Sequence, residues 1–414
     1  MSIVCRHDKQ RAGYGMTYQE KAMAAQDQAD DAMDESRMIR DLVAKFVDQE
    51  LMPLEPAILA REARGEPLRL TPEEESPLLE KCRELGLWAL DAPEELGGAN
   101  LNAETWMGIN EELGRTVVPF VFPPDSPNMH MLLAVATDEQ RKKYLEPYAR
   151  GDMKGAIAIS EPGAGGDPSG MITRAERDGD DWVINGRKIW VSRVPAADFV
   201  IVMARTGDGK RHEGITAFIV DKGTKGFEIL RDIPMLAGHR TYELVFEDCR
   251  IPGKQVLGAI GGGFAPMQLR LIVRRLQIGA WCLGMSSRAL QMMVEHAKQR
   301  VTFGQKLADR QAIQWWIADA AIKMHACRMM VMDAARKQDQ GKDVRNEASM
   351  IKVYATEMAS EIIDHAMQTF GAMGVTKELP LHLMAQRVRV MRVYEGPTEV
   401  HLMAIARKVL KDAK

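Results

Sequence analysis

Asp181-Trp-Val-Ile-Asn-Gly-Arg-Lys-Ile-Trp-Val191 is the stretch on which the fold turns. Aromatic and β-branched residues lie on both sides of Asn185-Gly186, a dipeptide that tolerates the two positive φ angles of a type I′ turn. The stretch is therefore expected to be two strands joined by a tight hairpin. Further strands are expected at 199–204, 215–220, 227–230 and 242–246. Their short spacing, with no helical period between them, predicts an antiparallel β-domain rather than a βαβ sheet.

On both sides the period becomes helical. Upstream, Met38, Leu42, Phe46 and Val47 share one face, and Pro53 and Pro56 are expected to end that helix. Residues 77–87 and 103–113 are amphipathic, and Thr137 with Gln140 has the form of a capping box. Downstream, three long stripes run through Leu276–Ala297, Ile313–Val331 and Ile351–Ala366, as in a bundle. The expected fold is mainly α with a central antiparallel β-domain. A tail or arm (1–30) precedes an N-terminal helical domain (31–150), the β-domain (151–258) and a C-terminal four-helix bundle (259–414).

The 414 residues exceed the size of a single hydrophobic core. A net charge of −3 gives no support to a nucleic-acid or membrane-surface binder. Cys5, Cys82, Cys249, Cys282 and Cys327 are scattered, which fits reduced thiols in a cytoplasmic setting. No apolar run has the length of a membrane span, and the acidic N-terminus lacks the marks of a signal or transit peptide. The histidines show no metal-ligand spacing, so no metal is expected. Nucleophile-elbow, Walker and strand–GxGxxG–helix motifs are missing.

Taken alone, Gly163-Ala-Gly-Gly166 is a turn. It follows an expected strand at 156–160, however, where successive glycines expose backbone N–H groups to a planar or anionic ligand. With Ser160-Glu-Pro-Gly-Ala-Gly-Gly-Asp167 and Lys188-Ile-Trp-Val-Ser192, the chain resembles the acyl-CoA dehydrogenase family. The resemblance continues through Glu243–Pro252, Arg300-Val-Thr-Phe-Gly304, Gln368-Thr-Phe-Gly371 and Tyr394-Glu-Gly-Pro-Thr-Glu-Val-His401, in order, over about 35–410. Pro124–Met129 and the Gly-Pro-x-Glu-Val-His ending look most like the branch of larger members acting on long or hydroxylated chains.

The resemblance implies an α–β–α three-domain architecture and FAD-dependent conversion of an acyl-CoA thioester to its trans-2-enoyl product. A carboxylate removes the α-proton, flavin N5 accepts the β-hydride, and electron-transferring flavoprotein takes the electrons. The base falls on Glu395, although an isolated Glu-Gly reads as an exposed loop; the motif implies the apolar setting that suits a general base. Ile157, Ala158, Ile159, Ser160, Gly163, Gly165, Gly166, Trp190, Val191 and Ser192 are implied to line the flavin. Outside the motif, Trp190 reads equally as core.

Arg300, Thr302, Phe303, Arg310, Gln311, Gln368, Thr369, Gly371, Ala372, Pro397, Thr398 and Glu399 are implied to hold the rest of FAD, partly from a neighbouring subunit. A homodimer, or a tetramer built from dimers, follows from such sharing. Gly166, Arg274, Arg275, Gly396 and Arg407 are implied at the substrate, though Arg274 and Arg275 also read as a solvated helix turn. Three departures from the family pattern stand out: Gly166 for serine, Arg193-Val194 for Asn-Gly, and Pro397 for threonine. Competing readings are an acyl-CoA oxidase, a flavin oxidase or monooxygenase of non-CoA substrates, and a nucleic-acid-binding flavoprotein resting on Arg387, Arg389, Arg392, Arg407, Lys408 and Lys411.

Overall fold

The computed structural model describes residues 35–124, 127–207, 209 and 212–413. The expected N-terminal tail, Cys5, and Asp125 and Ser126 of the 124–129 segment lie outside the described residues.

The first helix, α1 (residues 35–46), buries Val43 and Phe46 but leaves Met38 exposed. Contrary to expectation, Pro53 and Pro56 do not end the helical path. It runs through a π segment (Val47–Leu51) and a 3₁₀ turn (Met52–Leu54) into α2 (Glu55–Ala63). Each proline occupies the opening of a new segment, where its missing N–H forfeits little of the ladder. Thr71 and Glu74 form a capping box that starts α3 (Pro72–Glu84), five residues before the expected start. Asn102 accepts from the Thr105 amide at 2.8 Å and caps α4 (Ala103–Leu113), whose bounds match the amphipathic stretch. After α5 (Pro127–Val135), the Thr137–Gln140 capping box opens α6 (Asp138–Gln140). That helix continues through a π segment (Arg141–Leu145) into α7 (Glu146–Arg150).

Strands β1 (Gly155–Ala158), β2 (Arg174–Asp178), β3 (Asp181–Ser192), β4 (Phe199–Arg205), β5 (Ile215–Asp221), β6 (Phe227–Pro234), β7 (Arg240–Pro252) and β8 (Val256–Leu257) form one sheet. Its order is β6-β7-β3-β2-β4-β5-β8, with β1 parallel to β4 and most other pairs antiparallel. The hairpin expected at Asn185-Gly186 is not there. Asp181–Ser192 is one strand, paired with β7 from Asp181↔Pro252 to Ser192↔Thr241. The tight turn is Gly179-Asp180, between β2 and β3. Asn185-Gly186 is instead a bulge in the β3–β7 register. Asn185 accepts from the Asp248 amide at 2.8 Å and donates to the Asp248 carboxylate at 3.3 Å. A Cβ on Gly186 would stand 2.4 Å from Thr173 Oγ1, so this glycine admits a close approach rather than a turn.

The chain then forms α8 (Phe264–Gln299), a short ribbon of β9 (Val301–Thr302) and β10 (Gln305–Lys306), α9 (Gln311–Asp339), α10 (Arg345–Phe370), α11 (Leu381–Met391) and α12 (Thr398–Asp412). One apolar cluster joins Val43, Phe46 and Ile109 of the N-terminal helices to Leu276, Leu283, Ile351 and Ile362. The helices meet closely, since a Cβ on Gly284 would stand 2.1 Å from the Glu111 carbonyl oxygen. A second cluster packs Met129, Leu132 and Tyr144 on Phe199, Ile201 and Ile219, and a third fills the other face of the sheet. Helical layers and sheet thus share walls around a cleft of about 2640 Å³. No helix among the described residues is long and apolar enough to cross a membrane.

Candidate active site

The cleft is walled by the end of β1, the end of β3, the first turns of α8 and the loop before α12. Of the residues singled out in the sequence, Ile157, Ile159, Ser160, Gly165, Gly166, Trp190, Val191, Ser192, Arg274, Arg275, Glu395, Gly396 and Pro397 all line it.

The loop after β1 is anchored from below by a buried ion pair that the sequence reading did not single out. Glu161 accepts from the amides of Ile172 (2.6 Å) and Thr173 (3.0 Å) and from Lys188 Nζ (2.8 Å). Lys188 has no exposed surface and also donates to the Ile159 carbonyl at 3.0 Å. Burial drives Lys188 down to about 8 against the pull of Glu161. Burial also works against the Glu161 carboxylate, but Lys188 and the Ile172 amide outweigh it and hold that carboxyl low. Above this anchor the loop is open, because a Cβ at Gly163 or Gly165 would meet nothing within 4 Å. At Gly166 it would meet Val400 Cγ2 at 3.2 Å and Pro397 at 3.7 Å. Two of the departures from the family pattern therefore touch each other.

Across the cleft, Trp190 sits in the second irregularity of β3 with φ of 62°, and half of its surface is exposed. The Ser192 hydroxyl pairs with His239 Nε2 at 3.1 Å. Burial, then Arg193 and Arg387, keep that imidazole below its ordinary value and hence neutral. Arg193 adopts φ of 65°, a conformation that suits asparagine better than arginine.

At the far end, Glu395 has φ of 57° and Gly396 of 94°. Three donors clamp their carbonyls. Arg275 Nε (3.0 Å) and His401 Nε2 (3.1 Å) donate to the Glu395 oxygen, and Lys352 Nζ donates to the Gly396 oxygen at 2.6 Å. Lys352 is wholly buried, and that burial, followed by repulsion from Arg275, brings it down to about 8. The Glu395 side chain departs from the apolar setting expected: Arg270 Nη1 donates to Oε1 at 2.6 Å and to Oε2 at 2.7 Å. Arg270 Nε also reaches Asn128 Oδ1 at 3.3 Å. Its one sequence signal is position, since residues 270 and 274 share a face of α8. Lys352 left no such signal; it lies beside the apolar stripe of α10.

The remaining candidates lie elsewhere. Ala158 is buried within the sheet. Arg300, Thr302, Phe303, Arg310 and Gln311 gather at the β9–β10 ribbon, where Arg310 donates to the Thr302 carbonyl at 2.5 Å. Gln368, Thr369, Gly371 and Ala372 end α10 beside them, joined through His296 stacked on Phe370 at 4.2 Å. Neither group lines the cleft. Thr398 is buried, its hydroxyl 3.3 Å from Glu357, while Glu399 and Arg407 are exposed on α12 and also miss the cleft. The basic run is not one surface. Arg387 turns inward to the Thr116 and Val117 carbonyls, and Arg392 pairs with Glu357 at 2.6 Å. Among the described residues no cluster of three or more His, Cys, Asp or Glu could hold a metal ion.

Three family models match the chain: the N-terminal domain of acyl-CoA dehydrogenase over 33–152, the middle domain over 156–249 and the C-terminal domain over 261–410. The chain is 38% identical to (R)-benzylsuccinyl-CoA dehydrogenase of Thauera aromatica, over 92% of this chain and 97% of that protein. It is 35% identical to the caffeyl-CoA reductase–Etf complex subunit CarC of Acetobacterium woodii, over 91% and 99%. The solved butyryl-CoA dehydrogenase of Megasphaera elsdenii superposes with a TM-score of 0.81 at 30% identity, covering 91% of this chain and 98% of that one.

Proposed function

Because the chain belongs to the acyl-CoA dehydrogenase family, FAD-dependent oxidoreductases acting on CH–CH bonds, we propose that it dehydrogenates an acyl-CoA thioester between its α and β carbons, with Glu395 as the base. The observation that carries the reading is the clamp on Glu395. Three donors fix the backbone of Glu395 and Gly396, both at positive φ, in the wall of the cleft that Trp190 and the glycine loop also line. Strained backbone held by several partners is a common mark of a working site.

The walls suit FAD: the half-exposed Trp190 indole offers a flat face, and at Gly165 a Cβ would meet nothing within 4 Å, so the loop backbone there is open to a ligand, whereas Gly163 does not line the cleft. When bound, FAD supplies the hydride acceptor. Glu395 takes the α-proton at a carboxylate oxygen, in line with the two-sided abstraction such a bond requires. Arg275 spends its Nε on the Glu395 carbonyl, so in this reading it positions the base in addition to any contact with CoA. The patch at Arg300–Gln311 and Gln368–Ala372 lies apart from the cleft within one chain, which supports FAD spanning two subunits of a homodimer or a tetramer of dimers. Electron-transferring flavoprotein is proposed as the electron acceptor, supported by the Etf in the name of the Acetobacterium relative, and the compartment as cytoplasmic. That relative's name also specifies a reductase, and the same residues serve the reverse reaction, with Glu395 returning the proton.

The test is anaerobic flavin absorbance of the purified protein during titration with thioesters. Bleaching is expected for saturated thioesters, and Glu395→Gln is expected to retain FAD while slowing bleaching by about 10²–10⁴-fold. Full activity in that variant overturns the assignment. Reoxidation of reduced flavin by 2-enoyl thioesters, without bleaching by saturated ones, would reverse the physiological direction.

A further inference from the structure

We propose, building on the dehydrogenation reading above, that the acyl group carries a second carboxylate one or two carbons beyond the α-carbon, and that Arg270 is its receptor. Arg270 occupies the carboxylate of the proposed base. Both carboxylate oxygens accept from Nη1, at 2.6 and 2.7 Å, and each side chain retains only 13% of its surface exposed. A base accepts a proton at an oxygen lone pair. In this arrangement the lone pairs that matter are turned to a guanidinium.

When Glu395 swings to the α-carbon, Arg270 is left as a largely buried cation whose remaining partner among the described residues is the Asn128 amide oxygen at 3.3 Å. Removing one member of a desolvated ion pair is costly, because the other charge stays buried without its counter-charge. Among the described residues, the cleft wall offers Arg270 no carboxylate partner other than Glu395. Its acidic lining residues are Glu75, Asp343 and Glu395, and Asp343 is held by Arg345. The anion must then come with the ligand. The phosphates of CoA are far along the molecule from the thioester, so they do not reach a group that touches the base. A carboxylate on the acyl chain does.

Contact between Arg270 and Glu395 also limits the spacing. If Glu395 reaches the α-carbon, its neighbour reaches a carboxylate at the β-carbon or one carbon further, as in substituted succinyl or glutaryl thioesters. Binding such a substrate exchanges one carboxylate for another on Arg270 and releases the base in the same event. A neutral chain releases nothing. A guanidinium is suited to this exchange, since it stays charged and its several N–H donors can take either carboxylate in turn. Sites built around a buried polar group reject analogues that lack its partner strongly.

The experiment uses FAD-loaded protein under anaerobic conditions and matched pairs of thioesters: glutaryl-CoA and 2-alkylsuccinyl-CoA against their carboxyl methyl esters, with butyryl-CoA as an unsubstituted reference. The free acids are expected to bleach the flavin with at least about 100-fold higher kcat/KM than the esters. In Arg270→Gln this ratio is expected to collapse toward one, chiefly through KM for the acids, and Arg270→Lys to give an intermediate ratio. A purely structural role would lower acids and esters alike, so equal losses in Arg270→Gln overturn the proposal. Equal efficiencies of acid and ester in the unmodified protein overturn it without any variant. If no thioester of either kind bleaches the flavin, the dehydrogenation reading itself fails, and this inference with it.

Discussion

Glu395 and Gly396 are two consecutive residues at positive φ, and the price of holding them there is visible in the groups around them. A Cβ on Gly396 would stand 2.9 Å from His401 Nε2, so Gly396→Ala meets both a strained φ of 94° and a collision with a clamp. It is expected to cost about 1–3 kcal/mol of stability by urea unfolding and to lower kcat more than flavin retention. His401 itself carries a pH signature. Burial, then Arg275 and Lys352, lower it from 6.5 to about 4. Between those values the unfolded chain binds a proton that the folded chain does not. The contribution is therefore complete above pH 6.5 and lost as pH falls towards 4. The shift corresponds to about 3 kcal/mol at 1.36 kcal/mol per pKa unit. Urea midpoints from pH 7 to 4.5 are expected to fall steeply in the native protein and less steeply in His401→Gln, which is also less stable at pH 7. Parallel slopes would show that His401 does not titrate with folding. Of these residues the sequence named Glu395 and Gly396 through the contiguous motif around them, and Arg275 through the family resemblance alone. Arg270 and Lys352 act across 125 and 44 residues of chain, and a helical arginine or lysine reads by default as solvated.

Elements show the same divide between local and distant causes. Ala103–Leu113 was legible to the residue because its amphipathic pattern lies within the segment. The Thr137–Gln140 box was legible for the same reason. Asn185-Gly186 was misread because its partners, Thr173 and Asp248, are brought to it only by β2 and β7. A two-residue turn of the kind expected there does occur at Phe303-Gly304, where both φ angles are positive (51° and 75°) and Thr302 faces Gln305. Its Phe-Gly sequence gives a weaker signal than Asn-Gly. Pro53 and Pro56 were misread as stops because a change from π to 3₁₀ to α winding offers each a helix start that periodicity does not reveal. The bulge reading has a direct test. Gly186→Ala places a methyl 2.4 Å from Thr173 Oγ1 and 2.7 Å from its Cα, and is expected to cost about 1–3 kcal/mol. A turn glycine in open solvent would cost less and leave the β3–β7 pairing intact, so amide exchange across 240–252 separates the two.

At the scale of the molecule, most residues implied for FAD fall in two places, the cleft and the β9–β10 patch, and one chain does not bring them together. The second patch also exposes several large apolar side chains. Phe303 is 98% exposed, Val301 53% and, on the following helix, Trp315 63% and Ile322 68%. An aromatic at positive φ with almost no neighbours has no structural return within its own chain beyond Arg310, whose guanidinium lies 5.8 Å from the ring centre. Clustered exposed apolar side chains mark a surface that is covered in the working assembly. If a second copy covers it, cofactor retention and oligomeric state are linked, and one substitution moves both. Phe303→Ser, which relieves no buried contact within its own chain, is expected to leave the thermal unfolding of apo-protein nearly unchanged. It is also expected to shift the mass in light scattering towards the monomer at micromolar concentration and to raise the Kd for FAD by at least about tenfold, since ligand bound only by the assembly is lost with it. A variant that stays oligomeric and keeps its FAD would place the apolar patch outside the cofactor site and leave the cleft alone to hold the flavin.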